Sequence, residues 1–319
     1  MNPKCPGLRP TPDPLTQHRR GLSLRHHSAG SRMQLHSISS IRRLPARSIP
    51  VVTTSLLAVV VALGGCIATP TSSLERMNNS VVYGQMAVDD PRIVVATDGP
   101  VDIDIDSFGG TVLVEAIPGL KNTIIEPVRH ANHGHLRRDE AEASLENMDY
   151  VVELIPGELN RETVRVVATS DDLKEHFQGV DFRIRTADLG SVRVRTDHGR
   201  VWVKNNKGGV DVETSHGDIR VITDHAMNDP IILVTKEADV DYRAPKGSTG
   251  IYDLRSIGGL VYNRFTEARV VSTSPDNDPA TFVAEVGGGL NPVLVRTTYG
   301  DIRVAVTEFP TGVGPIIME

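Results

Sequence analysis

The sequence GSVRVRTDHGRVWVKNNKGGVDVETSHGDIRV, residues 190–221, decides the fold because it carries a nine-residue repeat. Glycine recurs at positions 190, 199, 208 and 217, and β-branched residues follow each glycine two and four positions later. The residue between each β-branched pair is mostly polar, so the pattern predicts short strands with one buried and one exposed face. The glycine before each strand permits the tight corner that such strands need.

A longer phrase recurs every eighteen residues, and its match is closer than the nine-residue one. Residues 196–203, TDHGRVWV, align with residues 214–221, TSHGDIRV, and residues 297–304 repeat the phrase as TTYGDIRV. Two strands and two corners per repeat predict a mainly β chain, folded as a single-stranded β-solenoid (β-helix) of about 18-residue coils stacked about 4.8 Å apart. A meander of hairpins is the alternative. The aromatic content of 4% favours a thin core of Val and Ile.

Similar alternation outside the repeat predicts further strands, and one segment predicts a helix. The additional strands are expected at residues 101–106, 111–115, 150–155 and 163–168, with a glycine corner at 108–110. Residues 137–148 are mostly charged but have a modest apolar edge, and they predict a helix that caps one end of the solenoid. The repeat is irregular between residues 236 and 279, where we expect loops that decorate the coils.

The leader has the three parts of an export signal. Basic residues between 42 and 47 precede an apolar stretch at 51–62, which is too short to span a bilayer, and the small residues 63–66, LGGC, follow. An ordinary secretory signal with a coincidental cysteine is one interpretation. The four residues also resemble the lipobox of bacterial lipoproteins. That resemblance implies that Cys66 is acylated and begins the mature chain, and that Ile67 after it directs the protein to the outer membrane.

The leader also sets the expected boundaries of the chain. Residues 1–32 have no hydrophobic period, and Met33 would give a signal of ordinary length, so the first segment predicts a disordered or misassigned start. The segments that follow are a lipoprotein signal peptide at 33–65, a flexible tether at 66–90, the β-solenoid domain at 91–310 and a tail at 311–319.

Charge and cysteine content narrow the classes of function. Residues 1–65 hold nine of the 34 Lys and Arg residues but one of the 40 Asp and Glu residues. The remaining 25 basic and 39 acidic side chains give residues 66–319 a formal charge of −14, which predicts that nucleic acid is not a partner. The two cysteines are Cys5 and Cys66, so a chain that starts at Met33 and is acylated at Cys66 has no thiol left for a disulfide, a metal site or a nucleophile.

The lipobox, the strand phrase T-x-x-G-x-[VI]-x-[VI] and the short acidic helix before the repeats together resemble the bacterial adhesin-like families of unknown function that form β-solenoids. The resemblance covers roughly residues 98–305. Its motifs are spacings of glycine and β-branched residues and include no catalytic residue. It therefore implies a fold and little about a ligand.

Three carboxylates, those of Asp102, Asp104 and Asp106, alternate along one predicted strand. They would line one face, with about 6 to 7 Å between neighbours. Calcium could bind such a row if carbonyl groups of a loop joined it. The alternative is an ordinary solvated face.

The histidines suggest two possible metal sites. His130, His133 and His135 could gather around zinc or copper, with a fourth ligand from the residues that follow, namely Asp139 or Glu140. The alternative for this group is a polar loop that leads into the helix.

The second pair follows from the eighteen-residue period. His198 and His216 would stack in adjacent coils, with Asp197 and Asp218 nearby, and could bind a metal or titrate near pH 6.5. The alternative is an exposed corner position that accepts any polar residue.

These observations predict a membrane-anchored envelope lipoprotein that acts as a non-enzymatic binding, adhesion or scaffolding module. The sequence contains no G-x-S-x-G, no H-E-x-x-H and no phosphate-binding glycine loop. The first candidates for a binding face are the large outward residues Arg193, Trp202 and Arg220. No cofactor is predicted; the expected partners are the membrane through the anchor, an envelope protein or glycan, and a second copy at the solenoid ends. The alternatives are a metal-binding envelope protein and a carbohydrate-active β-helix enzyme, whose paired carboxylates a sequence cannot identify.

Overall fold

The computed structural model describes residues 85–157, 161–172, 177–266, 268–272 and 274–312. The predicted signal peptide, Cys66, most of the predicted tether and the end of the predicted tail lie outside these residues. In the part of the chain that the structure describes, no helix is both long enough and apolar enough to cross a membrane.

The described chain is mainly β, as the alternation of its residues predicted. The strands in the first half are β1 (Gln85–Asp89), β2 (Ile93–Val95), β3 (Val101–Gly109), β4 (Val112–Ala116), β5 (Thr123–Asn132), β6 (Met148–Pro156), β7 (Glu162–Ser170), β8 (Gln178–Thr186), β9 (Leu189–His198) and β10 (Val201–Lys204). Those in the second half are β11 (Val210–His216), β12 (Ile219–Ile222), β13 (Ile231–Val234), β14 (Val240–Pro245), β15 (Gly250–Ser256), β16 (Val261–Phe265), β17 (Val270–Ser272), β18 (Thr281–Val286), β19 (Pro292–Thr297) and β20 (Ile302–Thr307). Helix α1 spans Arg138–Glu146, and a 3-10 helix spans Pro310–Gly312.

The strands form two sheets whose inner faces share one apolar core. Sheet 1 has the order β1-β5-β8-β4-β10-β12-β14-β20-β16, with β2 also paired to β5. Sheet 2 has the order β17-β18-β15-β19-β13-β11-β9-β3-β7-β6. In most of the chain a strand of sheet 2 is followed by a strand of sheet 1, and such a pair of strands is called a coil below.

In the middle of the molecule the order of coils along the chain is also their order in space. Strand β9 pairs in parallel with β11, so that His198 lies beside His216, and β10 pairs in parallel with β12, so that Val201 lies beside Ile219. Strands β13 and β14 continue the stack on β11 and β12. Residues eighteen positions apart in the repeated phrase are therefore neighbours, as predicted.

The order differs at both ends, where the two sheets have a mixed strand order instead of the strictly sequential order of the single-stranded solenoid that the sequence predicted. The first coil, β3–β4, lies between β7–β8 and β9–β10, and the last coil, β19–β20, lies between β13–β14 and β15–β16. Parallel stacking needs only matching columns of inward residues, so the position of a coil in the chain does not fix its place in the stack. The end positions go to the coils whose outer strand has a further antiparallel partner, β6 on β7 and β18 on β15.

The core consists mainly of small β-branched residues that alternate along the strands. Val192, Val194, Val201 and Val203 are each at most 1% exposed, and burial of each such side chain contributes about 1.5 kcal/mol. The C-terminal part of the core is different because it contains two fully buried tyrosines, Tyr242 on β14 and Tyr252 on β15. Their burial raises the pKa of both hydroxyl groups.

Helix α1 is present where the sequence predicted one. It packs against β1, β5, β6 and β8 and buries Ala141, Ser144 and Leu145. It therefore lies at the N-terminal end of the stack, as expected for a cap. The region from 236 to 279 does not consist of decorating loops, because β14 to β17 lie within it.

Candidate functional site

The corner between sheet 2 and sheet 1 explains the glycine of the repeated phrase. A Cβ atom at Gly217 would lie 1.9 Å from the backbone oxygen of Gly199, and one at Gly199 would lie 1.9 Å from that of Gly110. At Gly300 it would lie 2.1 Å from the backbone oxygen of Ala238. Backbones of successive coils thus touch at this corner, and a side chain there would force them apart.

The threonine of the phrase closes the same corner in the C-terminal coils, whereas the buried hydroxyl of Thr214 in the middle coils has no hydrogen-bond partner among the described residues. Thr297 is 3% exposed and its hydroxyl donates to the carbonyl oxygen of Ala238 at 2.9 Å. Ser256 occupies the same place in the neighbouring coil and donates to the carbonyl oxygen of Gly300 at 2.7 Å. These buried hydroxyls satisfy carbonyl groups that turn out of the sheets, which makes the corners rigid supports for the residues on their outside.

His198 and His216 stack on the outside of this corner, as the period predicted. Their ring centroids are 4.6 Å apart and their planes differ by 3°. The Oε2 atom of Glu237 from the next coil lies 3.4 Å from Nε2 of His216, a neighbour that the sequence did not indicate. The two imidazoles and the carboxylate offer hydrogen-bonding groups on the outside of the corner, but the three side chains do not have the geometry to hold a metal.

His130 and His133 have separate neighbours. Nε2 of His130 lies 3.2 Å from Oδ1 of Asp181. His133 is buried, its Nε2 lies 2.7 Å from Oγ of Ser144, and its ring stacks on Phe177. Among the described residues, no group of three or more His, Cys, Asp or Glu side chains has the geometry to hold a metal, and this holds for His130, His133 and His135 as well as for the acidic row.

The acidic row lies on the outer face of sheet 2, where it is matched with arginines. Asp102 accepts a hydrogen bond from the backbone amide of Ser191 at 2.6 Å, and Asp104 lies 3.8 Å from the guanidinium of Arg193. The register continues one row of alternating charge across five strands: Glu153, Arg165, Asp104, Arg193 and Asp211. The three carboxylates are therefore members of a charge-compensated face.

The best-formed ion pair of the middle coils joins this row to the next one on the same face. Arg195 donates to Oδ2 of Asp211 at 2.6 Å, and that hydrogen bond raises the pKa of the Arg195 guanidinium. Around this pair lies a shallow depression of about 360 Å³, lined among others by Asp106, Glu213 and Lys236. Acidic and basic side chains lie side by side in its lining, so the depression favours neither anionic nor cationic ligands.

The three residues predicted for a binding face do not share one face. Trp202 and Arg220 are neighbours on the outer face of sheet 1, and the Arg220 guanidinium lies over the Trp202 ring at 5.6 Å from its centroid. Arg193 lies on the outer face of sheet 2. Strands nine residues apart belong to opposite sheets, which separates Arg193 from Trp202.

Trp202 and Arg220 belong to a row that crosses eight strands of sheet 1. In spatial order the row is Glu126, Arg183, Leu113, Trp202, Arg220, Asp241, Arg303 and Tyr262. A parallel row two residues along each strand contains Arg185, Glu115, Lys204, Ile222 and Arg243. Basic residues outnumber acidic ones on this face, unlike in residues 66–319 as a whole.

The central polar group of sheet 1 was not among the residues predicted from the sequence. Asp241 and Arg243 are 7% and 8% exposed although both point outward from β14, and Arg243 binds both carboxylate oxygens of Asp241 at 2.8 Å. Arg220 approaches the same carboxylate at 3.5 Å. The spacing of acid and arginine two residues apart was the only signal available, and it also occurs at exposed positions such as Asp253 and Arg255.

No protein-family model matches the sequence, and no curated protein matches it. Among solved structures, the chain is similar to one described as a "putative cell adhesion protein" from Clostridium sporogenes, with 10% identity and a TM-score of 0.49, over 68% of this chain and 99% of that one. It is also similar to one described as a "putative adhesin" from Bacteroides fragilis, with 12% identity and a TM-score of 0.23, over 69% of this chain and 96% of that one. At these scores neither similarity establishes a function.

Proposed function

We propose that this chain is a lipid-anchored protein of the bacterial cell envelope, in which Cys66 carries the anchor and the two-sheet stack is a β-solenoid that serves as a non-enzymatic binding or scaffolding module. The observation that carries the proposal is the pair of outer faces, on which side chains from as many as eight strands lie in register. Such rows offer a partner a broad and rigid surface, because each side chain is held by a strand paired on both sides.

The anchor is tested by metabolic labelling of the full chain with palmitate. Wild-type protein is expected to incorporate the label and to fractionate with membranes, whereas Cys66→Ser loses both properties. Cys5→Ser is the matched control, since Cys5 precedes the expected start at Met33 and its loss leaves labelling unchanged. Equal labelling of Cys66→Ser and wild type would contradict the anchor.

The binding role is tested with residues 66–319 carrying Cys66→Ser, which leaves a soluble chain. Saturable binding to envelope fractions of the organism that encodes the chain is expected, and protease or glycosidase treatment of those fractions shows whether a protein or a glycan is bound. Binding that never saturates, or turnover of an envelope polymer by the protein, would contradict the proposal.

A metal-binding role is the second candidate; the stacked imidazoles of His198 and His216 would supply two ligands, and the others would have to come from solvent or a partner, because the described residues contain no group of three donors with the geometry to hold a metal. Calorimetric titration with zinc is expected to give stoichiometric binding that is lost when both histidines are replaced by Asn. Titration of the His130→Asn variant is the control because that residue lies elsewhere. Absence of heat with wild-type protein would end this candidacy.

A further inference from the structure

We propose that the outer face of sheet 1 around Trp202 binds a carboxylate-rich protein segment that also carries exposed apolar side chains. This inference rests on the proposed binding role and names the class of partner. The site, here called the Trp202 patch, consists of Leu113, Arg183, Arg185, Trp202, Arg220 and Ile222 on strands β8, β4, β10 and β12.

The patch is continuous because its four strands are neighbours in sheet 1. Arg183, Leu113, Trp202 and Arg220 occupy one row across these strands, which spans about 14 Å at ordinary strand spacing. Trp202 and Leu113 are half-buried, whereas Arg183 is exposed. The row therefore presents an apolar centre between two guanidinium groups.

Positive charge in the patch exceeds the acidic charge that could neutralise it. Asp241 is shared by Arg220 and Arg243, and Glu126 is shared by Arg185 at 2.6 Å and Arg92 at 2.8 Å. In each group one carboxylate faces two guanidinium groups, so one positive charge is left over.

Arg183 and Lys204 are the remaining basic residues in and beside the patch. Arg183 adds a third surplus charge, because no acidic side chain of the described residues lies within ion-pair distance of it. Lys204 lies 3.8 Å from Glu115, and these two residues compensate each other. The patch thus holds three arginines, and the two carboxylates that reach them, Glu126 and Asp241, are also bound by Arg92 and Arg243 outside the patch; this surplus of positive charge would attract carboxylates.

The apolar part of the patch indicates the class of partner. Trp and Arg are the residues that most often dominate the energy of protein interfaces, and Leu113 and Ile222 extend the apolar surface beside Trp202. An anionic glycan or a lipid headgroup would meet the arginines but would leave Leu113 and Ile222 without a partner. A protein segment with acidic and apolar side chains matches both parts.

The test measures binding of a defined probe to residues 66–319 carrying Cys66→Ser. The probe is a random copolymer of glutamate and tyrosine, measured by fluorescence anisotropy at low and at physiological salt. Trp202→Leu is expected to weaken binding about tenfold and Arg183→Gln about fivefold. Wild-type binding is expected to fall as salt is raised.

Arg165→Gln is the matched control, because Arg165 is also exposed and outside ion-pair distance of any described acid, but lies on the outer face of sheet 2. It is expected to leave the affinity unchanged. Circular dichroism of each variant shows whether it is folded; Arg183→Gln replaces an exposed side chain and keeps the test valid if Trp202→Leu misfolds.

Several outcomes would overturn the inference. They are an absence of copolymer binding by folded wild-type protein, an equal loss in Arg165→Gln and Arg183→Gln, and stronger binding to polygalacturonate or to phosphatidylserine vesicles than to the copolymer. Failure of this inference differs from failure of the proposed function, because saturable binding to envelope fractions that Arg183→Gln leaves intact would place the binding surface elsewhere while preserving the binding role.

Discussion

The middle coils, β9 to β12, and the C-terminal coils, β13 to β16 with β19 and β20, show two ways of building the same stack. The middle coils follow the order of the chain, and their core is almost entirely valine. The C-terminal coils break that order, contain Tyr242 and Tyr252, and bury an outward-facing pair, Asp241 and Arg243. A repeated pattern is sufficient where a coil stacks on the next coil in the chain, whereas particular side chains distinguish the region where a distant coil inserts.

The largest expected effect tests whether the same corner rule holds in both regions. Gly217→Ala in the middle and Gly300→Ala in the C-terminal coils each place a Cβ atom about 2 Å from a backbone oxygen, so each should lower the free energy of unfolding by about 4 kcal/mol. Urea denaturation measures both. Gly119→Ala, with open space but a positive φ of 93°, should cost about 1 kcal/mol. A Gly300→Ala variant as stable as Gly119→Ala would mean that β19–β20 is not inserted beside Ala238.

The next effect sharpens the contrast between buried and exposed charge. Asp241→Asn leaves Arg243 and Arg220 without their carboxylate in a buried site, and the free energy of unfolding should fall by about 3 kcal/mol. Asp211→Asn removes the partner of Arg195 from the more exposed face of the middle coils and should cost less than about 1 kcal/mol. Equal losses in denaturant titration would show that the two regions do not differ in this respect.

Alkaline pH should affect the C-terminal coils first. Burial raises the pKa of Tyr242 and Tyr252 above the unfolded value, so the stability that they contribute is complete below about pH 10 and is lost as pH rises through the folded pKa. Above about pH 10 each tyrosine should lower the free energy of unfolding by about 1.4 kcal/mol per pH unit. Tyr252→Phe should reduce this slope, whereas Tyr299→Phe, at an exposed corner, should not. Denaturation at a series of pH values would contradict the prediction if both variants kept the wild-type slope.

The smallest effect concerns a contact that exists only because of the insertion. Arg303 donates to Asp239 at 2.6 Å although the residues are 64 positions apart. Since Asp239 is 44% exposed, a double-mutant cycle should give a coupling of about 0.5 kcal/mol. The control pair, Arg200 and Asp218 in the middle coils, is 3.8 Å apart and more exposed, and its coupling should be near zero. A coupling no larger than that of the control would count against the inserted position of β20.

The sequence predicted the elements of the fold better than their order. Alternating β-branched residues gave the strands, and the eighteen-residue phrase gave the stacking of His198 on His216. The order at the ends could not be predicted, because the inward side chains of β13–β14 and of β19–β20 form similar apolar columns. Either coil could therefore stack on β15–β16. Matching columns of inward side chains decide which coils can stack on each other. The antiparallel strands, β6 on β7 and β18 on β15, decide which coil lies at each end of the stack.

The candidate binding residues show a similar division. The eighteen-residue period correctly joins Trp202 with Arg220, whereas the nine-residue period separates Arg193 from both of them by placing it on the other sheet. The burial of Asp241 and Arg243 had no sequence signal beyond their spacing, since it depends on neighbours from other strands such as Arg220. Whether an outward-facing residue is buried depends on the surrounding structure, and the periodicity of the sequence does not show it.

Because β19–β20 lies between two coils that precede it in the chain, the chain cannot finish folding before these last two strands have been synthesised. Strands β15 and β16 make their parallel pairs with β19 and β20, which are synthesised later, so a nascent chain that ends before Pro292 lacks the partners of its own preceding coil. Loop closure over these distances is slow compared with local pairing. The C-terminal end of the stack is therefore completed only after the last strand has been synthesised, and until then β15 and β16 lack their parallel partners.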